Sequence, residues 1–270
     1  MSRLVAILAA LAILGGGLGM RSWLIDRMLY YPSPGVYLRP EQLGIDAEEI
    51  FLTTEDGVRI HAFYLPSPGA SRGLLFLHGN AGNASHRLPN AAMLQRLGVH
   101  VLLVDYRGYG RSRGRPNERG LYADARAGLA HLTRERGIPE RRVVLFGRSL
   151  GGAVAVDLAQ GRELAGVILE STFSSLADAA STIFGSLVAP LVGGRYDSAA
   201  KIPRARAPLL FFHGDRDEII AYDLGRRLFD AAPSPKVFET LRGAGHNDTV
   251  QVGGAPYLAR IGRFLDEVSP

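Results

Sequence analysis

The chain has 270 residues, 47% of them hydrophobic and 21% charged, a net charge of +5 and no cysteine. Such a length and composition suit one large globular domain, and the missing cysteine excludes disulfides, thiolate catalysis and a Cys-based zinc site. The basic balance raises the question of nucleic acid or an anionic membrane surface, but the arginines are spread along the chain. The one dense stretch, from Arg111 to Arg115, reads as a turn with no nucleic-acid module around it, so no nucleic-acid partner is expected.

Residues 4–20, "LVAILAALAILGGGLGM", are uncharged and bounded by Arg3 and Arg21. As a helix this run would reach about 25 Å, the short limit for a bilayer core of about 30 Å. Flanking arginines can snorkel, and Trp23, Tyr30 and Tyr31 suit the headgroup level. Residues 1–21 are therefore expected to form an N-terminal transmembrane anchor. A cleaved signal segment is the competing reading, because Gly15–Gly17 and Gly19 offer small residues at a cleavage-like spacing. The two orientation signals, arginine counts and a short basic N-terminus, oppose one another.

Residues 22–47 read as a Pro- and Tyr-containing connector, and residues 48–270 as the main domain. Residues 50–54 and 58–65, joined around Gly57, predict a β-hairpin. Short continuous apolar runs follow at 74–77, 99–104, 142–146, 166–169 and 209–212, the pattern of strands buried on both faces. Helical patterns at 84–97, 118–136, 150–158 and 221–232 separate them, with a last strand at 236–241 and a closing helix at 257–268. Alternating strands and helices predict an α/β fold, a mainly parallel sheet with helices on both faces, and such sheets carry their chemistry at the C-terminal strand ends.

Three strand ends carry reactive groups. The strand ending at Phe146 runs into Gly147-Arg-Ser-Leu-Gly151, a G-x-S-x-G turn that lifts Ser149 to the start of a helix as a nucleophile. A serine hydroxyl needs a base. Of the seven histidines, His61, His100 and His131 lie in or beside predicted elements, His78 and His213 sit in His-Gly pairs at strand ends, and His86 opens a helix. His246 stands in a Gly-rich loop between the last strand and the last helix, where a base closing the order Ser, acid, His belongs. The acid that orients it is expected in "HGDRDEII": Asp217 fits best, Asp215 is the alternative, and Glu170 at the preceding strand end comes third. Donors for an oxyanion would be the backbone N–H groups of Leu150 and of Asn80, or else Ala81, in the loop after Leu77. "VDYRGYGRSRG" only approaches a dinucleotide fingerprint, since Gly114 falls one position late.

Taken in order, "FLHGNAGN", "LLVDYRGYGRS", "GLYADA", "LFGRSLGGAVA", "HGDRDEII" and "GHND" resemble the α/β-hydrolase superfamily, and within it the small membrane-anchored ABHD-type (Bem-like) serine hydrolases. The resemblance covers about residue 48 to the end. It implies the α/β-hydrolase fold, a triad of Ser149, Asp217 and His246, an N-terminal apolar anchor and no metal or cofactor. The expected activity is hydrolysis of carboxylic esters of short to medium acyl chains, with thioesters or lipid esters as further candidates, through an acyl-enzyme; a peptidase or amidase on the same triad and a non-catalytic tethered binding protein are the alternatives. Relatives that deacylate proteins use a Cys-rich N-terminus, which this chain lacks. Between about 173 and 207 an apolar, helix-like insertion is expected to form a small cap, with Ile183, Phe184, Leu187, Val188 and Leu191 lining an acyl pocket, touching a bilayer or covering the sheet.

Overall fold

The computed structural model describes residues 18–268. In chain order they form α1 (Leu18–Leu29), β1 (Tyr31–Pro32), β2 (Glu48–Thr53), β3 (Arg59–Leu65), β4 (Gly73–Leu77), β5 (Ala81–Gly82), α2 (Leu88–Gln95), β6 (His100–Val104), α3 (Glu118–Ala130) and β7 (Val143–Arg148). The second half comprises α4 (Leu150–Ala159), β8 (Gly166–Glu170), α5 (Leu176–Phe184), α6 (Ala189–Val192), α7 (Ser198–Lys201), β9 (Leu209–Gly214), α8 (Tyr222–Ala231), β10 (Lys236–Leu241) and α9 (Thr249–Glu267).

Eight strands make one sheet in the order β10-β9-β8-β7-β4-β6-β3-β2. Only β3 runs against its neighbours, pairing antiparallel with β2 and β6; every other pairing is parallel. The continuous apolar runs explain why both faces are covered. Alternate residues point to opposite sides, so Leu75, Leu77, Leu102, Val104, Val143 and Leu145 enter one core, while Leu74, Phe76, Val101, Leu103, Val144 and Phe146 enter the other. Each such fully buried side chain contributes roughly 1.5–3 kcal/mol, and a strand apolar on one face only could not sustain two layers.

Element boundaries depart from the sequence pattern where local chemistry intervenes. The helix expected over 84–97 opens with a 3-10 turn at Ala84–Arg87, capped by the Asn83 side chain accepting from Ser85 N–H. The pattern at 118–136 is α-helical only to Ala130, after which the spacing widens to a π turn at His131–Glu135. The last helix begins at Thr249, eight residues before the expected start at Tyr257, but it breaks at Gly254 (φ 52°, ψ −142°) and resumes at the Pro256 turn. Pro favours a first helical turn, so the sequence signal marked the second segment alone.

The expected anchor at residues 1–21 lies outside the described residues except for 18–21, which open α1. Among the described residues no helix is long and apolar enough to cross a membrane. Residues 22–47, which the sequence presents as a connector, make specific contacts. Asp26 Oδ1 pairs with Arg195 Nη2 at 2.6 Å, and the hydroxyls of Tyr30 and Tyr196 share a hydrogen bond of 2.6 Å. β1 pairs in parallel with β5, Tyr31 opposite Ala81 and Pro32 opposite Gly82. The Asn83 side-chain amide donates to the carbonyls of Ser33 (3.0 Å) and Gly35 (2.9 Å). A pairing of two residues has no periodicity to detect, which is why the sequence was silent on it.

Candidate active site

The turn between β7 and α4 is built by close approach. A Cβ on Gly147 would stand 2.5 Å from the Gly151 carbonyl oxygen, and one on Gly151 only 2.0 Å from the Leu77 carbonyl oxygen. Both are below any real contact distance, so the crossing admits only glycine there. Ser149, held between them, adopts φ 53° and ψ −120°, a left-handed conformation that costs a residue with a side chain about 1–3 kcal/mol. β8 and the residues just after it hold that strain in place. Ser149 N–H donates to the Glu170 carbonyl at 2.8 Å, and Thr172 Oγ1 donates to the Ser149 carbonyl at 2.8 Å. The hydroxyl is thereby fixed at the N-terminus of α4, where free N–H groups and the helix dipole favour negative charge.

The three side chains expected to act together do meet. His246 Nε2 lies 3.2 Å from Ser149 Oγ, and His246 Nδ1 lies 2.8 Å from Asp217 Oδ2. The Asp217 side chain is fully buried, and His246 is 6% exposed. The other oxygen of Asp217, Oδ1, accepts the backbone N–H groups of Ile219 (3.0 Å) and Ile220 (2.7 Å). Burial pushes the Asp217 carboxyl up, but hydrogen bonds from His213 and His246, with the Ile220 N–H, outweigh it and hold the group well below the usual carboxylate range. An ionised Asp217 accepts from Nδ1–H, which leaves Nε2 of a neutral ring free to accept the serine proton.

The alternatives are occupied elsewhere. Asp215 Oδ1 accepts Gly243 N–H at 2.6 Å and closes the turn beneath the histidine loop. Glu170 faces Arg148, Thr249 and Tyr257. The remaining histidines do not reach Ser149: His61 pairs with Asp105 (2.7 Å), His78 with the Gly79 carbonyl (2.6 Å), His213 bonds the Ile220 carbonyl (2.9 Å) and stands 3.4 Å from Asp217 Oδ2, and His86 stacks on Tyr37. His100 and His131 also bond locally, to Ser67 and Ala70 and to Glu135 and Arg136 respectively.

The loop from His78 to Asn83 lies against Ser149: a Cβ on Gly79 would sit 3.3 Å from Ser149 Cβ. Asn80 follows directly, its side-chain oxygen accepting from Tyr109 OH at 3.0 Å and its amide donating to the Leu29 carbonyl. Both expected oxyanion donors, the N–H groups of Leu150 and Asn80, thus belong to segments flanking Ser149. Glu218 escaped the sequence reading as anything but a spare acid. Its Oε2 accepts His246 N–H at 3.1 Å, so it holds the histidine's own peptide. The run Asp217-Glu218 was the available signal. Among the described residues no group of three or more His, Cys, Asp or Glu side chains is arranged to hold a metal ion.

The family model for the alpha/beta hydrolase family matches residues 74–230, which span β4 through most of α8. The chain belongs to the alpha/beta hydrolase family. Family members of similar sequence include an uncharacterized protein of Mycobacterium tuberculosis, 37% identical over 99% of this chain and 96% of that protein. Protein bem46 of Schizosaccharomyces pombe is 34% identical over 84% of this chain and 79% of its own length. The human alpha/beta hydrolase domain-containing protein 17B is 35% identical over 82% and 76%. These relatives identify an ABHD-type member of the family. Among solved structures, an esterase of Pyrococcus furiosus superposes with a TM-score of 0.73 at 22% identity, covering 88% of this chain and 98% of its own.

Proposed function

We propose that the chain is a serine hydrolase that cleaves carboxylic esters through an acyl-enzyme. One observation carries the reading: an unbroken Asp217–His246–Ser149 hydrogen-bonded chain, of 2.8 and 3.2 Å, ends on a serine held in a left-handed conformation at a helix N-terminus. In the first step Ser149 Oγ attacks the ester carbonyl and His246 Nε2 takes its proton. The tetrahedral oxyanion is met by the N–H groups of Leu150 and Asn80, and collapse expels the alcohol, to which His246 returns the proton. Water, deprotonated by the same imidazole, then attacks the acyl-enzyme; His246 returns that proton to Ser149 Oγ as the acyl–Oγ bond breaks and the acid leaves. The carboxylate of Asp217 holds the ring orientation throughout. Residue chemistry suffices for each step.

The substrate class is a small-molecule acyl ester or a lipid ester, and the helical insertion over residues 173–207 serves as the cap beside the site. Its exposed Ile183, Phe184 and Leu187 favour an apolar acyl group on that side. The domain is tethered at a membrane by residues 1–21, a reading supported by the uncharged run at 4–20 and by the flanking arginines.

The test is ester turnover by the full chain against Ser149→Ala. Loss of about 10⁴–10⁶ in kcat is expected, together with stoichiometric fluorophosphonate labelling at Ser149 in the unaltered protein. Unchanged turnover in Ser149→Ala would remove the reading, and absence of label on folded protein would favour a binding protein instead.

A further inference from the structure

Glu170 ends β8 at 1% exposure and takes no part in the proton relay, yet it meets four groups. Its backbone carbonyl accepts from Ser149 N–H at 2.8 Å. Its Oε1 accepts from Thr249 Oγ1 at 2.9 Å, its Oε2 accepts from Tyr257 OH, and Oε1 stands 2.9 Å from Arg148 Nε. Burial beside this carboxylate pushes the Tyr257 hydroxyl up, so it remains a donor. Arg148, the residue before the nucleophile, is 5% exposed. Its Nη2 donates to the His246 carbonyl and, at 3.3 Å, to Asn247 Oδ1.

A surface arginine at the variable position of G-x-S-x-G would need no explanation. A buried one does, because an ion pair out of water gains little net stability over an apolar replacement. Its geometry supplies the explanation. The loop carrying His246 is glycine-rich, with Gly243 at φ 80°, and has little intrinsic stiffness. His246 is pinned at both of its peptide groups by charged side chains, its N–H by Glu218 and its carbonyl by Arg148. Glu218 reaches from the acid loop, whereas Arg148 reaches from the nucleophile's own neighbour. Its reach therefore ties the base to the serine it must serve. The Nε2 to Oγ separation of 3.2 Å stands at the outer limit of a working hydrogen bond, so a displacement of about 1 Å would break proton transfer.

We propose that Arg148 and Glu170 are a positioning pair for this hydrolase site: Glu170 fixes Arg148 and the start of α9, and Arg148 sets the distance between His246 and Ser149. The proposal rests on Ser149 and His246 being nucleophile and base. It gives the buried arginine a role in rate, with no contact to substrate.

The experiment is a double-mutant cycle on the full chain with a short-chain nitrophenyl ester, comparing Arg148→Met, Arg148→Lys and His246→Ala singly and combined. Thermal midpoints and the rate of fluorophosphonate labelling at Ser149 are recorded alongside. Arg148→Met is expected to lower kcat about 10–100-fold with KM changed less than about 3-fold, and Arg148→Lys to recover part of the loss. In the His246→Ala background the Arg148→Met change should alter the residual rate less than about 2-fold, because the group it positions is gone. Equal fold-losses in both backgrounds would overturn the proposal, reducing Arg148 to a support of the turn. So would a folded Arg148→Met protein with near-normal kcat. Should Arg148→Met fail to fold, the same cycle with Arg148→Lys decides by the same criterion. Intact turnover in Ser149→Ala or in His246→Ala would instead strike the functional reading, while their inactivity beside a normal Arg148→Met strikes the pair alone.

Discussion

Two regions next to one another in sequence follow opposite rules. Around β7, β8 and the histidine loop, Arg148, Ser149, Glu170 and His246 are nearly or wholly buried, and each is held by neighbours on other segments. Midway along the insertion over residues 173–207, three large apolar side chains face outward, with Ile183 58%, Phe184 49% and Leu187 91% exposed. The first region uses charge inside, at a cost that only exact partnering repays; the second leaves hydrophobic surface outside, where water makes it unfavourable until something covers it. Under the proposed function the first region would need fixed distances for proton transfer, and the second apolar surface for an acyl chain. Rigidity and stickiness are therefore segregated within one domain.

Breaking the buried side should produce the largest effects. Gly151→Ala must move a backbone carbonyl that a new Cβ would approach to 2.0 Å; loss of at least about 3 kcal/mol in urea unfolding, or failure to accumulate soluble protein, is expected. Asp217→Asn keeps the shape of the side chain but offers His246 Nδ1 an amide, and kcat should fall about 10³–10⁴-fold with the fold retained. The same substitution sharpens the electrostatic account. The native carboxyl titrates below its unfolded value, so its contribution to stability is fully present above about pH 4 and is lost as pH falls through the lower native value. The stability gap between the unaltered protein and Asp217→Asn should accordingly be constant at neutral pH and shrink in acid. A smaller change is expected from Tyr196→Phe, which removes one hydrogen bond to Tyr30 and should cost about 1 kcal/mol in thermal or urea unfolding. On the exposed side, Leu187→Ser should leave stability within about 0.5 kcal/mol. A large loss there would mean that the two regions are less separate than their exposures indicate.

How much of this could be read in advance depended on the range of the contact. Strands flanked by glycine turns declare themselves locally, which is why the runs at 74–77 and 209–212 and the turn at Ser149 were legible. Spacing from the His-Gly pair favoured Asp217 over Asp215, but pattern alone left both open because they sit in one polar loop. What distinguishes them is three-dimensional: Gly243 N–H reaches Asp215, and His246 reaches Asp217. The contacts of Arg148 and Glu218 with His246 could not be read from the sequence for the same reason, since each acts on His246 from a distant segment. The early start of α9 was hidden by Gly253, Gly254 and Pro256, which signal an interruption and do interrupt the helix without preventing the turns before it.

The pairing of Tyr31 and Pro32 with Ala81 and Gly82 has a practical side. A protein engineer seeking a trimmed version would be tempted to start at the first long strand, β2. That cut would discard the carbonyls to which the Asn80 and Asn83 amides donate, loosening the loop beside Ser149, and would remove Tyr30 from Tyr196 and Asp26 from Arg195. A boundary ahead of Trp23 retains every one of these ties, so the shortest useful protein begins inside the first helix.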